Sequence, residues 1–203
     1  MERSALKYVN YPVFVLVVFM LASCANQAPV PQDQYYFLPS ATSPHRLADK
    51  LVTPVAVAPF QAEGIRRDRA LLYIDSHAPM TIRRYHYHHW AISPPKLIQE
   101  HMLAYLRLSL NDNEAIRLEP GTESSSTIRG KILRFERLTA KQENGVIVSL
   151  ELSYMSANEK VWQKVYTVKE NSGNRIENSV EAFGKALEQI YNAFLNDISP
   201  HSV

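Results

Sequence analysis

Val146, Val148, Leu150, Leu152 and Tyr154 recur at every second position, with Ser149, Glu151 and Ser153 between them. Side chains of a strand alternate between its faces, so this run has one buried face and one wet face. The pattern fits an antiparallel sheet covered on one side only. Asn144-Gly145 stands just ahead of it and favours a tight hairpin turn. Strands are therefore predicted at 115–119, 127–138, 146–155 and 161–169. Earlier in the chain, Val55-Ala56-Val57-Ala58 is a short apolar strand bounded by Pro54 and Pro59. Leu71 to Ile74 is another, and the aromatic-rich stretch from Thr81 to Trp90 reads as extended.

Two segments carry helical spacing. Pro94-Pro95 breaks the aromatic strand, and Pro95 suits a first helical position. A helix is predicted from Lys96 to about Leu110, with Ile98, Met102, Leu103, Leu106 and Leu110 as its apolar stripe. Gln99, Glu100 and Arg107 fall on its wetter side. The last helix is predicted to start near Asn178, with Glu181 three residues on as a capping-box partner. Its stripe is Val180, Phe183, Leu187, Ile190, Phe194 and Ile198. Each helix must cover part of a sheet. The expected fold is a single α+β domain, a mixed, mainly antiparallel sheet packed by two amphipathic helices.

Composition narrows the function classes. The 203 residues carry a formal net charge of +2, without the basic excess of an electrostatic nucleic-acid binder. Hydrophobic residues make up 46% and charged ones 21%, which excludes wholesale disorder. A single cysteine excludes an internal disulfide framework.

That cysteine closes a distinctive N-terminal segment. Arg3 and Lys7 precede an uncharged apolar run from Val13 to Ala22. Ten helical residues span about 15 Å, half of a bilayer's hydrocarbon core. A basic start, a short apolar run and small residues describe a secretory signal peptide, residues 1–23. Leu21-Ala22-Ser23-Cys24 resembles the bacterial lipobox. The resemblance implies a diacylglycerol thioether on Cys24, cleavage before it and acylation of the new amino terminus. A thiolate is the nucleophile such chemistry needs. Ala25, rather than Asp, follows the cysteine. By the same resemblance the protein is sorted to the outer membrane and faces the periplasm. Residues 24–34 are polar and Pro-rich, an extended tether with roughly 30 Å of reach. The folded domain is then 35–200.

Further features come in a recognisable order. They are the lipobox, the tether, a Tyr-Tyr-x-Leu-Pro first strand (Tyr35, Tyr36, Leu38, Pro39) and a Val-x-Val strand at Val55 and Val57. An aromatic strand ending in Trp90, the Pro94-Pro95 helix start, the closing strands and a C-terminal helix follow. In these the chain resembles the ABC-type transport auxiliary lipoproteins, the PqiC/YmbA-like family. The resemblance implies a non-enzymatic, outer-membrane-anchored docking component of a lipid-transport system. Its partners would be an MCE-domain periplasmic protein and an inner-membrane ABC permease and ATPase, with a homo-oligomeric ring as a further expectation. No cofactor and no nucleic acid are implied.

His86 and His88 on a strand would share one face about 7 Å apart, with His89 on the other. Two such histidines with an acid from elsewhere could hold zinc, the basis of a metal-dependent periplasmic enzyme. Flanking Arg83, Arg84, Tyr85 and Tyr87 point instead to a structural or interfacial role. Arg66, Arg67 and Arg69 read as a solvated charged loop, or as a contact for anionic head groups or a partner. Ser124-Ser125-Ser126 lacks a nucleophile elbow, and no glycine array cradles phosphate. A third reading is a lipoprotein scaffold for envelope assembly or secretion that moves no lipid.

Overall fold

A computed structural model describes residues 30–42, 51–110, 114–140, 144–156 and 159–198. Cys24, the signal segment and most of the tether lie outside the described residues. The chain divides into residues 1–32 and 33–203. Of the first unit only Val30, Pro31 and Gln32 are described, and all three are exposed.

In the second unit the strands are β1 (Gln34–Tyr36), β2 (Val55–Val57), β3 (Gln61–Ala62), β4 (Ala70–Asp75) and β5 (Ile82–Trp90). Then come helix α1 (Pro94–Ser109), β6 (Ala115–Arg117), β7 (Ser126–Thr139), β8 (Asn144–Ser156), β9 (Glu159–Ser172) and helix α2 (Ile176–Ile198). A 3-10 turn, Gly64–Arg67, links β3 to β4. Gly64 opens it at φ 56, a left-handed conformation that glycine adopts without strain.

β7 is the spine of the sheet. On one edge it runs antiparallel to β8 from Ser126↔Ser156 to Leu138↔Gly145, and β9 continues the meander beside β8. Along its other edge three short strands follow one another, all parallel to it. β2 pairs at Ser126–Ile128, β3 at Lys131–Ile132 and β4 at Arg137–Thr139. β5 is antiparallel to β4, β1 parallel to β5, and β6 parallel to β2. The architecture is the expected α+β with a mixed sheet and two helices. The expected bias toward antiparallel pairing is corrected, since five of the eight pairings among the described residues are parallel. Parallel partners need a crossover rather than a local turn, so no neighbouring residues announce them.

The buried half of the β8 alternation is realised, since Val146, Val148, Leu150, Leu152 and Tyr154 are fully buried. The other face is not wet throughout: Ile147 and Ser149 are buried too, and only Glu151 and Ser153 are half-exposed. In register with them, Ile128, Ile132 and Phe135 of β7 line the same face. Phe135 stands 4.4 Å from Phe183 of α2 and 5.1 Å from Trp90, centroid to centroid. The core therefore sits between the sheet and the helices. The α1 stripe and the α2 stripe are buried throughout. α1 crosses α2 through an edge-on contact of Tyr105 with Tyr191, and Tyr105 Oη donates to Asn192 Oδ1 at 2.6 Å. No helix among the described residues is long and apolar enough to cross a membrane.

Local differences have physical causes. α1 begins at Pro94, not Lys96, because two prolines suit the first turn, whose N–H groups lack intrahelical partners. Gln99 is buried rather than wet, because its Nε2 donates to the Val57 carbonyl at 3.0 Å. α2 is already formed at Ile176, so Asn178 lies within its first turn and not at a cap. Asn144 and Gly145 belong to β8 rather than to a turn. The Asn144 side chain still closes the hairpin by accepting from the Ala140 N–H at 3.1 Å.

Candidate functional site

Strand β1 opens the folded unit and lies at an end of the sheet order. β1 adds to β5 in parallel, Gln34↔His88 to Tyr36↔Trp90. Its edge displays Tyr35 and Phe37, which are 55% and 68% exposed. Tyr87 of β5 is also exposed, as are Arg83, Arg84 and His86. Tyrosine and arginine on a rigid edge are the residue types that anchor protein partners.

The histidine cluster is reorganised by a bulge. Between the pairs Leu72↔Arg84 and Ala70↔His89 the β5 strand carries extra residues, so strict alternation is lost. His88 shares a 2.9 Å hydrogen bond, through Nδ1, with Tyr36 Oη and stacks on that ring. Burial is the main force pushing the His88 pKa down and the Tyr36 pKa up. His89 instead turns to Asp33, 3.5 Å from Nε2, and lies beside Tyr35. His86 is exposed against Tyr87. The shared face expected for His86 and His88 is thus replaced by three separate environments. Among the described residues no three metal-ligating side chains converge.

The arginine run is not a free patch. Arg66 Nε donates to Glu136 at 2.7 Å, and Arg134 Nε donates to the other carboxylate oxygen at 3.2 Å. Glu136 itself is fully buried, on the sheet face opposite Phe135. Arg67 Nε donates to the Ala62 carbonyl and Arg69 Nε to the Trp90 carbonyl. Arg69 also lies 5.2 Å over the Tyr35 ring, so it supports the candidate edge from behind. Arg67 and Arg69 are nevertheless exposed and Arg66 half-buried, so the run is a solvated charged loop whose guanidinium groups also brace the fold.

Sequence reasoning also missed a strap. Past β1 the chain crosses to the helices, where Pro39 lies against Gly184; a Cβ there would approach Pro39 Cγ to 2.5 Å. Thr42 donates from N and from Oγ1 to the two Glu188 carboxylate oxygens, each at 2.7 Å. Near this strap His101 of α1 is 6% exposed, and its ring nitrogens make no well-aligned hydrogen bond. Desolvation pushes its pKa below the ordinary 6.5, and Glu188 and the Pro39 backbone offset only part of that.

The folded state favours neutral His101, so the unfolded chain binds the proton more readily. Stability is full above 6.5 and falls as pH drops from there toward the folded pKa. The depressed pKa of His88 acts in the same direction. His101→Phe is expected to lose less stability than the native chain between pH 7.5 and pH 5.5, measured by urea denaturation. Equal losses in both proteins would show that His101 contributes nothing to the acid response.

Two concavities flank β3. One of about 450 Å³ is lined by Pro59, Phe60, Leu118, Arg129, Lys131 and Glu151. The other, about 560 Å³, is lined by Gln61, Glu63, Arg67, Ser93 and Lys131 among others. Lys131 bridges to Glu63 at 2.6 Å, which lowers the Glu63 pKa. Neither lining includes a histidine or a cysteine.

No family model and no curated protein matches the chain in sequence. Solved structures do match its fold. Lipoprotein GNA1162 from Neisseria meningitidis aligns loosely, at 13% identity over 72% of this chain and 97% of its own, with a TM-score of 0.32, too low to support an argument. An uncharacterized protein aligns at 14% identity over 83% of this chain and 99% of its own, with a TM-score of 0.66. Protein XCC0632 from Xanthomonas campestris, of the family model DUF330, aligns at 16% identity over 83% of this chain and 96% of its own, with a TM-score of 0.69. The chain therefore has the fold of a DUF330 protein.

Proposed function

We propose that this chain is an outer-membrane lipoprotein facing the periplasm, and that it is the docking subunit of an MCE-type ABC lipid transport system. Acyl groups on Cys24 hold it to the membrane, and the tether lets the domain stand off the surface. It carries out no bond chemistry and needs no cofactor. The observation that carries the reading is the continuity from a lipobox through a polar tether into an edge strand. That edge presents Tyr35 and Phe37 outward, backed by Arg69. An adaptor on a leash requires this layout: one end anchored, and an adhesive edge on a rigid sheet. The fold shared with the DUF330 protein and the sequence resemblance to transport auxiliary lipoproteins both support it.

The test is crosslinking in intact envelopes followed by purification of the full-length protein. An MCE-domain protein or an ABC permease is expected to come down with the native chain, and to be reduced by Tyr35→Ala combined with Phe37→Ala. Recovery of neither partner from native envelopes overturns the transport role. Capture of secretion components instead would favour the scaffold reading.

A further inference from the structure

The sheet ends very differently on its two sides. At one side the outermost strands are β1 and β6, three residues each. At the other is β9, fourteen residues long, and among the described residues it pairs only with β8. A long unpaired edge is a template for another strand. A head-to-tail continuation onto β1 or β6 would leave most of β9 unpaired, so any ring would use other surfaces. A second copy of this chain supplies a strand of equal length.

The side chains select a register. Lys164 and Tyr166 face the helices, where both bond Asp197. Glu170 is on the same face, bonded to Gln189 of α2. Place two β9 strands antiparallel about a two-fold axis at Thr167. Lys164 then meets Glu170 of the second copy, and the symmetry repeats that pair on the other side. Tyr166 meets Val168 on the same face. On the opposite face Val165, 48% exposed, meets the aliphatic stem of Lys169, and Gln163 meets Asn171. Opposite charges directly across a strand pair attract, and like charges repel. Lysines on an edge ordinarily guard it against pairing. In this register Lys164 gains a carboxylate and no pair sets like charges together. We infer that β9 is an isologous interface that joins two copies of this chain edge to edge, centred on Thr167. The two sheets become one, and a two-fold contact of this kind closes on itself. This inference is independent of the transport role.

The test uses the full-length protein in detergent and in envelopes. A central cross-strand pair has Cα atoms roughly 4.5–5.5 Å apart, within disulfide reach. Thr167→Cys is expected to give a disulfide-linked dimer on mild oxidation. Val165→Cys, whose two copies would lie four residues out of register, is expected to give almost none, as is the native chain. Lys164→Glu is expected to weaken the dimer about tenfold or more, because it sets two like-charge pairs across the axis. Lys164→Glu with Glu170→Lys restores it. A Thr167→Cys protein that stays monomeric overturns the interface. Linkage through Val165→Cys instead, or a double variant no better than the single one, overturns the register and the pairing with it.

Discussion

Replacing Cys24 with serine is expected to abolish fatty-acid labelling of the protein and to leave residues 1–23 attached. The native chain should incorporate an alkyne fatty acid and begin at an acylated Cys24, read by mass spectrometry of the mature N-terminus. The effect is all-or-none because no other cysteine exists to take the lipid. Each buried methylene contributes about 0.8 kcal/mol, so one chain binds reversibly while two or three hold stably. An unlabelled native protein, or labelling that survives in Cys24→Ser, would remove the anchor from the scheme. The docking role depends on that anchor; the fold and the β9 interface do not.

Phe183→Ala is expected to lower stability by about 3–5 kcal/mol, the cost of deleting a fully enclosed aromatic. Phe183 is 1% exposed and touches both Trp90, edge-on at 5.4 Å, and Phe135. These rings come from α2, β5 and β7, so the cavity would open where three elements meet. A typical domain has only about 5–15 kcal/mol in hand, so the loss is a large share. Urea unfolding should show a lower midpoint with an unchanged slope. Leu108→Ala, at a side chain 60% exposed, should stay within about 0.5 kcal/mol of the native chain. Equal effects at both positions would show that the ring cluster is not the keystone of the core.

What could be read from sequence was whatever repeats within one element. The two-residue period of β8 and the stripes of both helices need no partner to be visible, and their apolar residues are buried as expected, whereas the burial of Ser149 on the other face of β8 depends on what packs there. The order of short strands along β7 was not legible, because β2, β3 and β4 are brought to it by the rest of the chain. Polar residues deceived for a different reason. Gln99 and Glu136 look solvent-bound by type, yet each is buried with a specific partner, Val57 O and the pair Arg66 and Arg134. The spacing of His86, His88 and His89 gives a shared face only on an ideal strand, and a bulge in β5 removes that geometry. The β1 edge was half legible. Tyr35 and Tyr36 marked a strand, but the Arg69 support and the strap to Glu188 depend on residues far away in the chain.

The route from β1 to Glu188 has a mechanical consequence. A pull on the chain ahead of Asp33 is borne first by the few hydrogen bonds between β1 and β5, loaded along the strand so that they share the force. Should that short strand peel away, the load passes to Pro39, wedged at Gly184, and then to the two bonds of Thr42 on Glu188. A pull at the start of the folded unit therefore meets two successive holds before it reaches the hydrophobic interior.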